Sequence, residues 1–273
     1  MMFTLSPEQT DLAAVLHGFL GSGRTDLASL GVDEVTDPVD LVVVFEELGH
    51  HALPGPWIES LAVVPALLGR PAPKAGTWSV AFPPLVPHAA EADHYLLADG
   101  TTLHHASPTT ELSSVDPARR LRELSPGPVI ATGVPTEHAF NLGVLTCAAQ
   151  LLGLGRAVLD MSTDHVKARH QFGKPIGQFQ AVKHHLANVL IGLELARPLV
   201  HGAAVTLTTR DISAAKVAAS DAAWQAARTA LQVHGAIGYT AEHDLSRFLL
   251  RTRALRTAWG SPSMHRARVL EAL

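Results

Sequence analysis

At 273 residues, 47% hydrophobic and 17% charged, the chain has enough apolar mass for one large domain or two small ones. A formal net charge of -4 excludes a general attraction to nucleic acid or to an anionic membrane surface. The single cysteine, Cys147, excludes an intramolecular disulfide framework, so nothing points to secretion. Aromatic residues are only 5% while Ala and Leu abound, which favours helices over strands. Met1-Met2-Phe3-Thr4 shows no basic region followed by an apolar block, so no signal peptide is expected and the location expected is cytoplasmic. The most apolar run, Val144 to Leu159, is broken by Gln150 and Arg156 and is too short to span a bilayer.

The first segment, residues 1–72, reads as helical. Ser6-Pro7-Glu8-Gln9 is a helix start, with Ser6 as cap, Pro7 in the first turn and Gln9 at capping-box spacing. Leu12, Val15, Leu16 and Phe19 then recur at helical intervals. Asp37-Pro38 opens a second helix carrying Leu41, Val44, Phe45 and Leu48. Adjacent Glu46 and Glu47 diverge by about 100° on a helix, so a solvated face is expected rather than an acid–base pair. His50-His51 lacks metal-ligand spacing and reads as a helix end.

Residues 73–131 change character. Pro, Thr, Ser and Asp rise, and short β-like runs occur at Thr77–Val80, Tyr95–Leu97 and Pro128–Ile130, with Asp99-Gly100 as a turn signal. His104-His105 falls in this small sheet, where a structural or exposed role is expected.

Residues 132–273 read as helical again. Helices are expected over about Glu137–His170, Phe179–Thr209, Ile212–His234 and Ala241–Ala258, with a last one from Pro262. Asp211 is the expected cap of the third, and Pro198 is expected to kink the second. Cys147 reads as a packed core residue, and Gly153-Leu154-Gly155, lacking a preceding strand, as helix packing. His165 and His170 are five apart, off the four-residue step of helical metal ligands, and no metal site is readable.

Between the first two of these helices, Gly173, Pro175 and Gly177 interrupt the pattern and make a corner of residues 168–180. Arg169 carries a planar cationic fork suited to phosphate, and Phe172 offers an aromatic face three residues on. That pair suits a dinucleotide, but on these residues alone a surface helix–helix corner with a stray Arg is the commoner explanation.

The corner Arg169-x-x-Phe172-Gly173-x-x-Ile176-x-x-Phe179-Gln180 resembles one in the C-terminal helical domain of the acyl-CoA dehydrogenases. Gln232-Val233-His234-Gly235-Ala236-Ile237-Gly238-Tyr239-Thr240 is similar to the family's Gln-x-x-Gly-Gly-x-Gly-Tyr-Thr segment, with Ala236 replacing the second Gly. Residues 46–56 are similar to a stretch of the N-terminal helical domain of actinobacterial members. The fold implied is mainly α: an N-terminal helical domain, a truncated β middle region of about half the family's usual size, and a C-terminal four-helix bundle.

The resemblance implies FAD as cofactor, held on its ADP side by Arg169, Gln171, Phe172, Ile176, Phe179, Gln232, Val233, Gly235 and Ala236. Members of the family take the α-proton of an acyl thioester with a Glu while hydride leaves to the flavin. The two positions at which members carry that Glu are occupied here by Trp259 and Gly143, and Val144 replaces the family's neighbouring substrate Arg. No catalytic residue is therefore expected on this chain. The resemblance implies a non-catalytic subunit of an α2β2 enzyme whose full-length acyl-CoA dehydrogenase partner brings the base and most of the acyl-CoA pocket. The similarity of Glu242-His243-Asp244-Leu245 and of the N-terminal segment to actinobacterial α2β2 enzymes that act on the acyl side chains and rings of steroids implies a steroid-derived substrate. Two other readings are a homodimer with an unusual base, Glu242 or Glu194, and a flavin-free scaffold or regulatory paralogue.

Overall fold

The computed structural model describes residues 4–74 and 76–273; Met1, Met2 and Phe3, on which part of the N-terminal reading rests, lie outside the described residues. The first helix, α1, spans Pro7–Gly21. Its capping box forms as expected: the Gln9 amide donates to Ser6 Oγ (3.2 Å) and the Ser6 amide to Gln9 Oε1 (3.1 Å). Helix α2, Pro38–His50, starts where the Asp37 carboxylate accepts from the Val39 and Asp40 amides. A π-helical turn, Ile58–Val63, runs into the short α3, Val64–Leu68.

Five strands follow: β1 (Trp78–Ala81), β2 (Ala89–Ala90), β3 (His94–Asp99), β4 (Thr102–Leu112) and β5 (Leu121–Thr132). They form one sheet in the order β1-β3-β4-β5-β2, in which β1 and β3 run parallel and the other pairs antiparallel. Gly100, with φ +55°, makes the β3–β4 turn that Asp99-Gly100 signalled. The β4–β5 ribbon is longer than the runs read from sequence. Most of its residues are exposed on both faces, so no inside–outside alternation marks it.

The C-terminal part comprises α4 (Thr136–Ala168), α5 (Gln180–Thr206), α6 (Thr209–His234), α7 (Leu245–Thr257) and α8 (Pro262–Glu271). Between α4 and α5 lies a two-residue-loop hairpin of β6 (His170–Gln171) and β7 (Lys174–Pro175). Two expected boundaries move. Helix α6 is capped by Thr208, whose hydroxyl accepts the Asp211 amide at 3.2 Å, so Asp211 sits in the first turn instead. Helix α7 begins at Leu245, not near Ala241, because Gly235–Tyr239 first forms a 3-10 turn. Helix α5 runs through Pro198.

Helix α4 is the axis of the core. Both α4 and α5 are long and apolar enough to cross a membrane, but 89% of the apolar stretch of α4 is buried inside the protein. Helix α2 lies on α4 at backbone contact. A Cβ on Gly153 would fall 1.8 Å from the Glu46 carbonyl oxygen, and one on Gly49 would fall 2.1 Å from that of Gln150. Gly153 is thus a packing glycine, as its mid-helix place suggested. Gly153→Ala is expected to cost about 1–3 kcal/mol by forcing the helices apart, read as a lowered urea midpoint with unchanged slope.

Glu46 and Glu47 are not on a solvated face: they are 3% and 5% exposed. Glu46 pairs with Arg156 of α4 (2.8 Å) and, from α5, with Arg197 (3.4 Å) and His201 (3.6 Å). Burial alone would push the Glu46 carboxyl up; His201, Arg197 and Arg156 outweigh it and hold it at about 2. Its stabilising contribution is therefore complete above 4.5 and lost as pH falls toward 2. Burial pushes half-buried His50 and fully buried His265 from 6.5 down to about 4, so the unfolded chain binds their protons first and stability drops between those values. Chemical denaturation as a function of pH is expected to show stability declining steadily below 6.5, with Glu46→Gln flattening only the portion below 4.5. A level profile between 6.5 and 4 would contradict the buried neutral state of the two imidazoles.

Candidate functional site

Helix α4 ends at Arg169, which leaves helical conformation (φ -77°, ψ 120°), and its last turn carries His165. The His165 ring stacks on His234 in the last turn of α6 (4.2 Å between centroids), and His234 in turn meets His243 edge-on at 5.3 Å. These rings bring the 168–180 corner and the 232–240 segment, far apart in sequence, to the same end of the bundle.

In the β6–β7 hairpin, His170 pairs with Pro175 and Gln171 with Lys174, leaving Phe172-Gly173 as the turn. Both turn residues have positive φ (+53° and +78°), the pattern of a type I′ turn. A bulky residue in that region is strained, by roughly 1–2 kcal/mol. Phe172 is also 91% exposed. Gly173 explains the turn; nothing in the chain itself explains an apolar ring held out in water. Phe179 packs edge-on against Phe172 at 6.1 Å, with Lys174 Nζ 4.4 Å over the Phe179 ring. Ile176 and Phe179 are half-buried beneath, while Gln171 is exposed.

The Arg169 guanidinium is exposed and has no ion pair or hydrogen bond among the described residues. On the other segment, Gln232, Gly235 and Ala236 are exposed and Val233 half-buried. Gly235 ends α6 with φ 61° and ψ -139°, a conformation open to glycine, and space above it is clear. Gly238 has a packing reason: a Cβ there would lie 3.0 Å from His234 Cβ. A free cationic fork, an exposed aromatic and glycine-bared backbone have the donor chemistry of a pyrophosphate and an adjoining flat ring.

Beside this end runs an apolar stripe on α5, with Leu190, Ile191, Leu195, Leu199 and Val205 all about half exposed or more. With Phe172 and Tyr239 it adds to the exposed apolar surface of the chain.

Trp259 and Gly143 meet in the core, away from solvent. Trp259 is 1% exposed, and a Cβ on Gly143 would sit 2.5 Å from its six-membered ring. Phe82 and Phe140 complete an aromatic cluster around it, at 5.8 and 5.9 Å. Trp259 has φ +57°, and its Nε1 is buried with no partner. Glu194 and Glu242 are both exposed, so neither has the desolvated setting a thioester α-proton base requires.

Several buried polar groups were not foreseen. Glu59 is 4% exposed, lies on the π-helical turn and lines a cavity of about 280 Å³ with Arg119, Gln150 and Arg251. Burial pushes its carboxyl up, partly countered by Arg119. A single acid inside the apolar run Ile58–Val64 was the available signal. Arg251 bonds to Asp116 and donates to the Leu53 carbonyl at 2.9 Å, tying the sheet to α7 and the N-terminal helices. Lys216, fully buried, donates to the Leu255 carbonyl at 2.9 Å and lies 3.3 Å from that of Arg256, closing the C-terminus of α7. Cys147, buried as expected, approaches the same Leu255 carbonyl at 3.5 Å. Against the expectation of no readable metal set, His17, Glu47 and His51 bring their ligand atoms within 4.8 Å of one another.

Residues 134–273 match the family described as acyl-CoA dehydrogenase, C-terminal domain. The acyl-CoA dehydrogenase IpdE2 of Mycolicibacterium smegmatis is 33% identical over 236 residues, covering 82% of this chain and 75% of that protein. IpdE2 of Mycobacterium tuberculosis is 29% identical over 236 residues, covering 82% of this chain and 74% of its own length. In fold, the chain matches butyryl-CoA dehydrogenase from Megasphaera elsdenii with a TM-score of 0.83 at 19% identity, over 100% of this chain and 99% of that one. It matches a chain of the ChsE4-ChsE5 complex from Mycobacterium tuberculosis with a TM-score of 0.82 at 18% identity, over 99% and 98%.

Proposed function

This chain belongs to the acyl-CoA dehydrogenase family, and from that membership and the geometry of its bundle end we propose that it is the non-catalytic, FAD-contributing subunit of a heteromeric acyl-CoA dehydrogenase. The observation that carries the reading is Phe172: a strained aromatic, 91% exposed, beside an unpaired Arg169 and an apolar stripe on α5. Exposed groups of these kinds suit a surface that completes a site on another subunit.

In this reading Arg169 binds the pyrophosphate of FAD. Phe172 covers the adenosine side, with Ile176 and Phe179 supporting it and Gln171 beside it. Gln232, Val233, Gly235 and Ala236 offer backbone and amide groups to the phosphates, the Ala236 methyl being the one departure from the family's glycine. Bound FAD supplies the hydride acceptor for α,β-dehydrogenation of an acyl-CoA thioester. The proton goes to a Glu of a full-length partner in an α2β2 cytoplasmic assembly. Here Trp259 fills, against Gly143, the space a base would need. The sequence resemblance to the actinobacterial α2β2 enzymes that act on steroid acyl groups favours a steroid-derived acyl-CoA as substrate.

The test is flavin content per chain with native mass, for the chain alone and mixed with a full-length dehydrogenase. One flavin per pair of unlike chains, absent from the lone chain, is expected. Full flavin loading and acyl-CoA turnover by the lone chain would overturn the proposal.

One observation favours a second reading, in which this chain carries its own base. Glu59 is buried with no ion pair among the described residues and lines a cavity, a desolvated setting of the kind that makes a carboxylate more basic. Glu59→Gln is expected to leave turnover of the mixed complex within about twofold; a loss of the size general bases supply, roughly 10²–10⁴-fold, would assign the chemistry to this chain.

A further inference from the structure

Away from the bundle end, α1 and the C-terminal end of α2 place three imidazoles around one carboxylate. His17 Nδ1 lies 2.9 Å from Glu47 Oε2 and 3.4 Å from His51 Nε2. The His50 ring completes the group, 5.0 Å from His17 and 5.3 Å from His51. Glu47 and His51 stand four residues apart, the step that puts two side chains on one helical face.

Hydrogen bonding within the protein leaves this arrangement short of protons. His17 Nδ1 bears either a proton or a lone pair. With a proton it serves Glu47 and leaves its approach to His51 Nε2 without use. With a lone pair it can accept from His51 but faces the carboxylate lone pair to lone pair. One cation among the three atoms makes both of these contacts compatible, because each atom can present a lone pair to it.

We propose that His17, Glu47 and His51 bind a divalent cation of the zinc class, joining α1 to the C-terminal end of α2. Two imidazole nitrogens and one carboxylate oxygen form a donor set suited to Zn²⁺, leaving a fourth tetrahedral position to solvent. The 3.4 Å between His17 Nδ1 and His51 Nε2 is close to the edge of a tetrahedron around an ion with roughly 2.0–2.1 Å bonds, and all three ligand atoms lie within 4.8 Å of one another, so that closing on one ion takes a small swing of the His51 ring toward Glu47. The surroundings orient the ligands. Arg156 holds the other carboxylate oxygen, Oε1, at 3.6 Å, which leaves Oε2 turned toward His17. The His17 side chain is 51% exposed and gives the ion a path in from water.

The experiment titrates Zn²⁺ calorimetrically, and Co²⁺ by visible absorption, into the full chain after chelator treatment and dialysis. One equivalent of Zn²⁺ and a tetrahedral Co²⁺ spectrum are expected for the wild type and for His105→Ala, a control at an exposed histidine. His51→Ala and His17→Ala are each expected to weaken binding by at least the roughly tenfold that even a supporting residue costs. Should His51→Ala fail to fold, His17→Ala reads the site from a half-exposed position. Absence of stoichiometric binding, or the same affinity and spectrum in both histidine variants as in the wild type, would overturn the proposal.

Discussion

Replacing Arg169 with Ala is expected to weaken FAD retention in the mixed complex by roughly ten- to a hundredfold. A hydrogen bond to a charged group is worth about 1.5–3 kcal/mol, and each 1.4 kcal/mol or so is a factor of ten in affinity. The side chain is exposed and makes no ion pair or hydrogen bond among the described residues, so its removal should leave folding within about 0.5 kcal/mol of wild type. Affinity and stability are thereby separable. Arg169→Lys keeps the charge but loses the planar fork, and intermediate retention is expected. Flavin release from the mixed complex, followed by fluorescence under dilution, measures all three proteins. Unchanged release in Arg169→Ala would remove the ADP-side role from this corner.

Trp259→Ala is expected to have the largest effect on stability. Emptying a fully buried aromatic site costs about 3–5 kcal/mol, and the cluster with Phe82 and Phe140 has no other group to fill it. Part of that is offset, since the unpartnered Nε1 and the positive φ both weigh against the wild-type fold. Trp259→Phe keeps most of the volume and removes the orphan donor, so a change within about 1.5 kcal/mol is expected. Turnover per assembled complex should be the same in wild type and Trp259→Phe if, as proposed, the tryptophan only fills space and a partner brings the base. A phenylalanine variant that assembles with full flavin yet loses turnover would give Trp259 a part in the chemistry.

The capping of α1 and α2, the helix breaks at Gly173 and Pro175 and the β3–β4 turn were legible because each depends on residues within a few positions of one another. So were the two motifs at the bundle end, whose residue types carry their chemistry in short runs. The β4–β5 ribbon was legible only in part: exposed on both faces, it lacks the alternation that a buried face imposes. Burial of charge was misread for another reason. Glu46 and Glu47 sit on the face of α2 that meets α4, and the cation that makes this tolerable, Arg156, is 110 positions from Glu46. Periodicity sees only the helix that carries a side chain; the partner's charge decides whether burial is affordable.

The sequence by itself determined the helical frame, the family and the identity of the groups at the bundle end, since propensity, capping and motif are local properties. Tertiary structure alone decided which distant groups meet. The histidine stack joined the two bundle-end motifs, Trp259 closed on Gly143, and α1 delivered His17 to Glu47 and His51. Each of these contacts joins segments well separated along the chain. Their geometry follows from how the helices cross and how closely glycine lets them approach, which no single segment specifies.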